Sequence, residues 1–470
     1  MNAPPAEDSP SSSPAERSHR ELLLAMLGVC ATVVLVAFDS TIVSTTMPRV
    51  AQALDGMSLY AWVGTGYLLA TAASIMVFGR LGDLYGRKRL MLASVAIVAL
   101  GSVLCGLAQN MPQLIAFRVL QGVGGGMMIA TAFAAPADLF PLPHDRVRWM
   151  AMVSATFAVS SGVGPVLGGA ITQALGWRAA FFITPVAALA ALYLLARHFP
   201  NMCSLHRGER RIDWRGAFLL VAGVAAPLAA LELAFAPGEH ARPWWGLGLA
   251  LVGLGAWALL IPLERRVAAP IFPLRILASR QSQLLNVAAV ATGAIMFILI
   301  FYGPLLLQHE LRFSPSQAGL LMTPLVAGIP VGSIINGRLF PRQNEPQRLM
   351  VFGAALLAAG SAAVLTLETG SAPWWILAVF LVNGVGLGFL LPNLTLFMQM
   401  LADRADVGVA SALVQTTRAV GSAAGTAAVG IAISHLSVLT GIRVGLAFCA
   451  ALGVLCMVIC SRIKMRNVMA

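Results

Sequence analysis

Long apolar runs follow one another along almost the whole chain, separated by short polar gaps. Fourteen can be counted, at residues 22–47, 60–78, 90–108, 112–137, 149–172, 178–197, 215–236, 244–262, 284–307, 316–338, 349–367, 373–398, 407–434 and 442–461. Each reaches or approaches the ~20 residues that a helix needs to cross the hydrocarbon core of a bilayer. Inside lipid the backbone must satisfy its own hydrogen bonds, so runs of this length predict helices. The expected fold is an all-α polytopic membrane protein with 14 transmembrane helices.

The polar gaps are of two kinds. The N-terminal tail, the even-numbered gaps and the C-terminus hold 24 of the Lys and Arg residues, and the odd-numbered gaps hold 5. Arg118 and Arg418 lie inside runs. Basic residues are retained on the cytoplasmic side, which predicts an inner (cytoplasmic) membrane protein with both termini in the cytoplasm. The same bias accounts for the net charge of +12 without any nucleic acid partner.

Composition agrees with the pattern. Hydrophobic residues make up 58% and charged residues 11%, against roughly 25% charged in soluble domains. Cys30, Cys105, Cys203, Cys449, Cys456 and Cys460 show no metal or redox spacing. No phosphate-binding loop and no nucleophile–base or metal cluster is evident, so neither an ATP-driven pump nor an enzyme is expected. No cofactor is expected either.

The gaps also divide the chain. Residues 1–21 read as a disordered cytoplasmic tail, not a cleavable signal. A six-helix bundle follows at 22–197, then a basic loop at 198–214 with Arg207, Arg210 and Arg211. Two inserted helices occupy 215–262, and a second cytoplasmic loop spans 263–283. Another six-helix bundle fills 284–461, and a tail closes the chain at 462–470. Two six-helix halves suggest a duplicated carrier with a central site.

Several stretches carry chemistry. The gap between the second and third runs reads Gly79-Arg80-Leu81-Gly82-Asp83-Leu84-Tyr85-Gly86-Arg87-Lys88-Arg89. It is a tight turn with one carboxylate and cations at fixed offsets. Asp83 is suited to a helix N-terminus, where partial positive charge favours an anion. Arg87 and Arg89 are suited to pairing with carboxylates across the cytoplasmic face, and the glycines permit close packing and positive φ. Asp39 lies about two thirds of the way along the first run. A buried ion there needs a reason. Asp39 is the leading proton-titrating carboxylate, with a brace of the first helix as the alternative. Arg118, with Gln121 one turn later, holds either a carboxylate or backbone carbonyls. Gly164, Pro165, Gly168 and Gly169 break and thin the fifth run. Arg418 lies beside Gly421 and Gly425, whose spacing favours close helix approach; substrate contact, gating and structure all remain open for it.

These motifs resemble those of the major facilitator superfamily. The Gly79–Arg89 stretch is similar to its signature loop. Phe117-Arg118-Val119-Leu120-Gln121-Gly122 resembles its fourth-helix motif, and Gly162-Val163-Gly164-Pro165-Val166-Leu167-Gly168-Gly169 its antiporter motif. Phe38-Asp39-Ser40-Thr41-Ile42-Val43 resembles the first helix of the fourteen-helix drug:proton antiporter branch. The chain departs from that branch at Thr184, where an Asn is usual before the proline. Its second-half loop, Gly337-Arg338-Leu339-Phe340-Pro341-Arg342, also lacks an acid.

The resemblance implies a major facilitator fold and proton-coupled multidrug efflux. It implies that Asp39 and Arg118 couple protons, that Gly79, Asp83, Gly86, Arg87 and Arg89 latch one conformation, and that the Gly164–Gly169 motif seals the path. Gln121 and Arg418 are expected at a cavity or in a late-helix role. The small number of buried ions points to a mainly apolar small-molecule substrate; cationic lipophiles fit Asp39 and neutral drugs fit almost as well. Rival readings are a dedicated exporter of one metabolite, siderophore or antibiotic, and a membrane receptor or scaffold without transport. The expected working unit is a monomer in the bilayer, with room for a periplasmic adaptor and an outer-membrane channel as partners.

Overall fold

The computed structural model describes all residues except 1–17, 56–58, 141, 202–212, 235–241, 268–273, 314, 404–405, 437 and 465–470. The expected tail at 1–21 and the arginines of the 198–214 loop therefore lie mostly outside the described residues. The rest is helical. The first half comprises α1 (His19–Ala53), α2 (Tyr60–Tyr85), α3 (Arg87–Leu107), α4 (Met111–Leu139), α5 (Pro143–Leu175) and α6 (Trp177–His198). Then come α7 (Trp214–Ala234), α8 (Pro243–Glu264) and the short α9 (Leu274–Ala278). The second half comprises α10 (Arg280–His309), α11 (Pro315–Leu339), α12 (Gln347–Val364), α13 (Pro373–Leu401), α14 (Val407–His435) and α15 (Val438–Ser461).

Local chemistry sets the ends of these helices. Ser18, Asn110 and Ser279 each accept a backbone N–H from the first turn of the helix they precede, as N-cap side chains do. Gly86 and Gly176, at φ 86° and 87°, are the single residues that join α2 to α3 and α5 to α6. A side chain is strained in that region, so these two turns require glycine.

Among the described residues, 12 helices are long and apolar enough to cross a membrane. The expectation of 14 spans is met only in part by this measure. Its two remaining runs form α7 and α14, of 21 and 29 residues. In α7 the apolar stretch is the shorter Trp214–Pro227. In α14 a series of polar side chains, Ser411, Gln415, Thr416, Thr417, Arg418, Ser422 and Thr426, dilutes the apolar ones.

Each half has its own core. Met26, Val33, Met91, Val95, Phe133 and Leu195 join α1, α3, α4 and α6. The second half is centred on α13, whose Gly384, Gly386 and Gly388 leave no room for a Cβ against α11 and α12. Close backbone approach of this kind favours association in lipid, where burial of apolar surface between helices gives no net gain. Asn336 and Asn393 exchange two hydrogen bonds of 3.0 and 2.8 Å between α11 and α13. The inserted α7 rests on the seam between the halves, where Val224 meets Ala72 of α2 and Ala419, Val420 and Ala423 of α14. Helix α8 packs on α7 through Gly253 and Pro227, and its Trp244 and Trp245 are exposed.

Ties between helix ends define one face of the bundle. Lys88 at the start of α3 donates to the Ala196 carbonyl near the end of α6, at 2.8 Å. The Lys464 amide beyond α15 donates to Gln281 at the start of α10, at 3.0 Å. The gaps rich in Lys and Arg gather there, and we term it the basic end.

Candidate functional site: a buried ion cluster and a latch between the halves

Asp39 of α1 and Arg118 and Gln121 of α4 are brought together in the first half. All three are at most 1% exposed. Arg118 donates to Asp39 Oδ2 at 3.1 Å and to Gln121 Oε1 at 2.6 Å, and Gln121 Nε2 donates to Asp39 Oδ1 at 2.5 Å. The triangle is closed: both carboxylate oxygens of Asp39 are bonded, and the carboxylate and guanidinium charges cancel. The Arg118 guanidinium also lies 4.1 Å from the centre of the Tyr67 ring, within the range in which a cation is attracted to an aromatic face. The Tyr67 hydroxyl is buried without a hydrogen-bond partner among the described residues.

Helix packing places the cluster. A Cβ on Gly122 would lie 2.9 Å from Ala70 Cβ, and one on Gly126 would lie 2.8 Å from Ser74 Cβ. The glycines of α4 thus let α2 approach closely enough to lay Tyr67 against Arg118. Thr71 of α2 adds a hydrogen bond of 3.1 Å to the Gly122 carbonyl. On the other side of α4, the Gly101 position of α3 abuts the Gln121 Cβ, which holds that side chain in place.

At the basic end α2 meets the second half. Asp83 accepts backbone hydrogen bonds from Gly408 and Val409, both at 3.1 Å. These are the second and third residues of α14, the N–H groups that an N-cap side chain normally satisfies. The N-cap residue of α14, Asp406, does not cap its own helix. It accepts from Arg80 of α2 at 2.8 Å and from Arg275 Nε of α9 at 3.0 Å. That hydrogen bond and the Asp406 charge hold the Arg275 guanidinium above its ordinary pKa range. The acids have in effect exchanged roles: the first half caps α14, and the cap residue of α14 binds the first half. Arg87 ties Asp83, at 2.5 Å, to Asp138 at the end of α4. A Cβ on Gly79 would lie 2.6 Å from Ala412 Cβ, so α2 and α14 touch backbone to backbone at this level.

Other expected residues fall elsewhere. Arg89 is exposed and has no carboxylate partner among the described residues; Arg80 makes the pairing across the halves instead, because it ends on the α14 side of α2. Gly164 of α5 packs against Thr41 of α1, and Gly162 against Val326 of α11. Gly168 is buried, and Gly169 faces open space. Helix α5 is continuous through this motif, and the side chain of Pro165 lies outside the described residues. Gly421 and Gly425 of α14 press on Val290 and Ala294 of α10. Arg418 projects from α14 toward the first half, its guanidinium 5.9 Å from the ring centre of Phe133 and 6.0 Å from that of Phe157.

Arg80, Asp406, Arg275, Asp138 and Tyr67 were not singled out for these contacts from sequence. An acid just before a predicted helix was a visible N-cap signal at Asp406. Its partner 326 positions away was not.

The family profile described as Major Facilitator Superfamily matches residues 29–210 and 208–426, and the chain belongs to that family. It is a multi-pass membrane transporter, not an enzyme. It is 32% identical over 368 residues to Multidrug resistance protein 3 of Bacillus subtilis strain 168, covering 77% of this chain and 70% of that protein. It is 30% identical over 431 residues to the Multidrug transporter protein MdtP of the same organism, covering 91% and 77%. Among solved structures, the human organic anion transporter MFSD10 superposes with a TM-score of 0.70 at 15% identity, over 93% of this chain and 99% of that one. The proton:xylose symporter XylE superposes with 0.69 at 13% identity, over 94% and 95%. At these identities the two structures speak for the fold alone.

Proposed function

We propose that this chain is a proton-coupled secondary transporter that exports lipophilic drugs or other toxic organic compounds across the inner membrane by alternating access. Its relatives of about a third identity are multidrug transporters, which supports efflux. The observation that carries proton coupling is the closed Asp39–Arg118–Gln121 triangle, fully buried within the first half. Of its three members only Asp39 can exchange a proton near neutral pH, since a guanidinium does not. No cofactor is required by this reading, which takes the proton gradient as the energy source.

The steps follow from charge. With Asp39 ionised, the triangle is neutral and α1 is tied to α4. A proton arriving from the outer side neutralises Asp39 and leaves Arg118 as an unpaired buried cation. Removing one partner of a buried pair costs about 3–5 kcal/mol, so the cluster is driven to rearrange. Helix α4 is packed rigidly on α2, and the latch residues Gly79, Arg80 and Asp83 lie at the far end of α2, roughly 18–24 Å from Tyr67 at 1.5 Å per residue. A tilt of the α2–α4 pair therefore loosens Asp83 from α14 and Arg80 from Asp406. The basic end, which we assign to the cytoplasm from its Lys and Arg, then opens to admit substrate. Proton release to the cytoplasm restores the triangle and the latch, and substrate leaves outside.

In this scheme α7 and α14 also span the bilayer, giving fourteen spans with both termini inside. The working unit is a monomer, since the halves of one chain supply both sides of the latch.

The test is flux in proteoliposomes of the full chain under an imposed pH gradient. Accumulation of a neutral lipophilic dye on the acidic side is the expected result. Dye movement that is indifferent to the pH gradient would overturn proton coupling.

A further inference from the structure

The two arginines deep in the bundle differ in their partners. Arg118 is neutralised by Asp39. Arg418 is 9% exposed and has no carboxylate partner among the described residues. A bare cation in this setting is unfavourable unless something compensates it. Its immediate surroundings are aromatic: Phe133 and Phe157 stand edge to face, 6.4 Å between centres, on α4 and α5 of the opposite half. A second polar group is equally unprovided for. Gln415 stands one turn before Arg418 on the same stripe of α14; it is 2% exposed, and neither its amide oxygen nor its amide nitrogen has a partner among the described residues. The face of α14 toward α7 carries Ala419, Val420 and Ala423. Gln415 and Arg418 thus stand together on one side of one helix, at the seam between the halves. At 1.5 Å per residue, Arg418 is ~16 Å from the start of α14, near mid-membrane.

From this we infer an anion subsite at the seam, in which Arg418 and the Gln415 amide bind the acidic headgroup of an amphiphilic organic anion while Phe133 and Phe157 cover its apolar body. The inference deepens the proposed export function by naming its substrate class, and it rests on that reading. It also departs from the expectation that cationic and neutral lipophiles fit almost equally well. The Asp39 charge is already cancelled, whereas the charge at the seam is positive and unmatched. A carboxylate or sulfonate there gains a charge-assisted hydrogen bond from Arg418 and one from Gln415 Nε2. A lipophilic cation gains neither and is repelled.

A matched series separates charge from apolar body: 1-pyrenebutyrate, neutral 1-pyrenebutanol and 1-pyrenebutyltrimethylammonium. Binding to the purified full chain is read by energy transfer from tryptophan to pyrene. Export of the same probes from proteoliposomes, with a pH indicator inside, is read in parallel. The native protein is expected to bind the carboxylate about tenfold more tightly than the ammonium compound. Arg418→Gln should abolish that preference while keeping pyrenebutanol binding within about twofold. Arg418→Lys should keep part of it. Gln415→Leu, which leaves the arginine in place, should weaken the carboxylate alone, and it serves if Arg418→Gln does not fold. A native preference for the ammonium compound, or an equal loss for all three probes in the variants, would overturn the subsite. The two proposals fail separately: carboxylate export without proton movement sinks the coupling and leaves the subsite, whereas proton-coupled export that favours the cation does the opposite.

Discussion

At the scale of single residues, what matters is which buried charges have partners. Asp39 and Arg118 are each necessary to the other, because either one alone is an unpaired ion in a place that water does not reach. Arg118→Ala is expected to destabilise the protein by about 3–5 kcal/mol, and Arg118→Met combined with Asp39→Asn to recover much of that loss. Thermal unfolding of the three proteins in one detergent checks this. A double variant no more stable than Arg118→Ala would show that the pair is not coupled in the way the geometry says. The carboxylate, the arginine and the glutamine were each visible in the sequence as polar residues inside apolar runs. Their closure into one triangle was not, since it depends on the rotation of α1 against α4. Arg89 shows the opposite case: it has the right type and the right loop, but its side chain leaves the loop toward solvent, and Arg80 reaches Asp406 instead.

In the proposed cycle, helices are the scale at which the two regions communicate. The pair α2–α4 carries the buried cluster in one part and the latch at the other end, joined by glycine contacts too close for any larger side chain. Gly122→Val should wedge the pair apart, and lost export with the protein still folded is the expected readout. If Gly122→Val exports at the native rate, α2 and α4 do not move as one body. At the latch, Asp83→Ala removes an acceptor from two backbone N–H groups of α14, a loss of about 1–2 kcal/mol typical of a helix cap. That is enough to shift a two-state balance about tenfold toward opening at the basic end. Spin labels at the exposed positions 89 and 403, in a background without cysteines, should then report a longer distance population that the unaltered Asp83 protein lacks. Identical distributions would remove Asp83 from the latch. Helix positions could be read from sequence closely, because lipid permits little else: each of the fourteen runs coincides with a long helix. Helix α14 is the instructive case. Its polar side chains weaken it as an apolar span, and two of them, Gln415 and Arg418, supply the seam with its chemistry.

Taken whole, the molecule is two bundles that pack along a seam, as where Gly162 meets Val326, and that polar groups tie together at the basic end. Duplicated halves were evident from the spacing of the runs and the basic loops around the inserted pair. Which residues of one half meet which of the other was hidden, because pairs such as Arg80 and Asp406 are set only once both bundles have formed. In the proposed cycle the latched basic end belongs to one of the two states that alternating access requires. Breaking both ties together, with Asp83→Ala and Arg80→Ala in one chain, should favour the other state and slow net export while leaving ligand binding in place. Retained export in that chain would mean that the basic end is closed by something else.

In the proposed cycle a proton on Asp39 drives the change of state. The measurement that tests it most directly is the count of protons moved per substrate exported, by pH indicator in proteoliposomes, for the native chain and for Asp39→Asn at matched protein content. The account predicts substrate-driven proton movement in the native chain and none in Asp39→Asn, with substrate binding kept. Proton movement that survives in Asp39→Asn would contradict it.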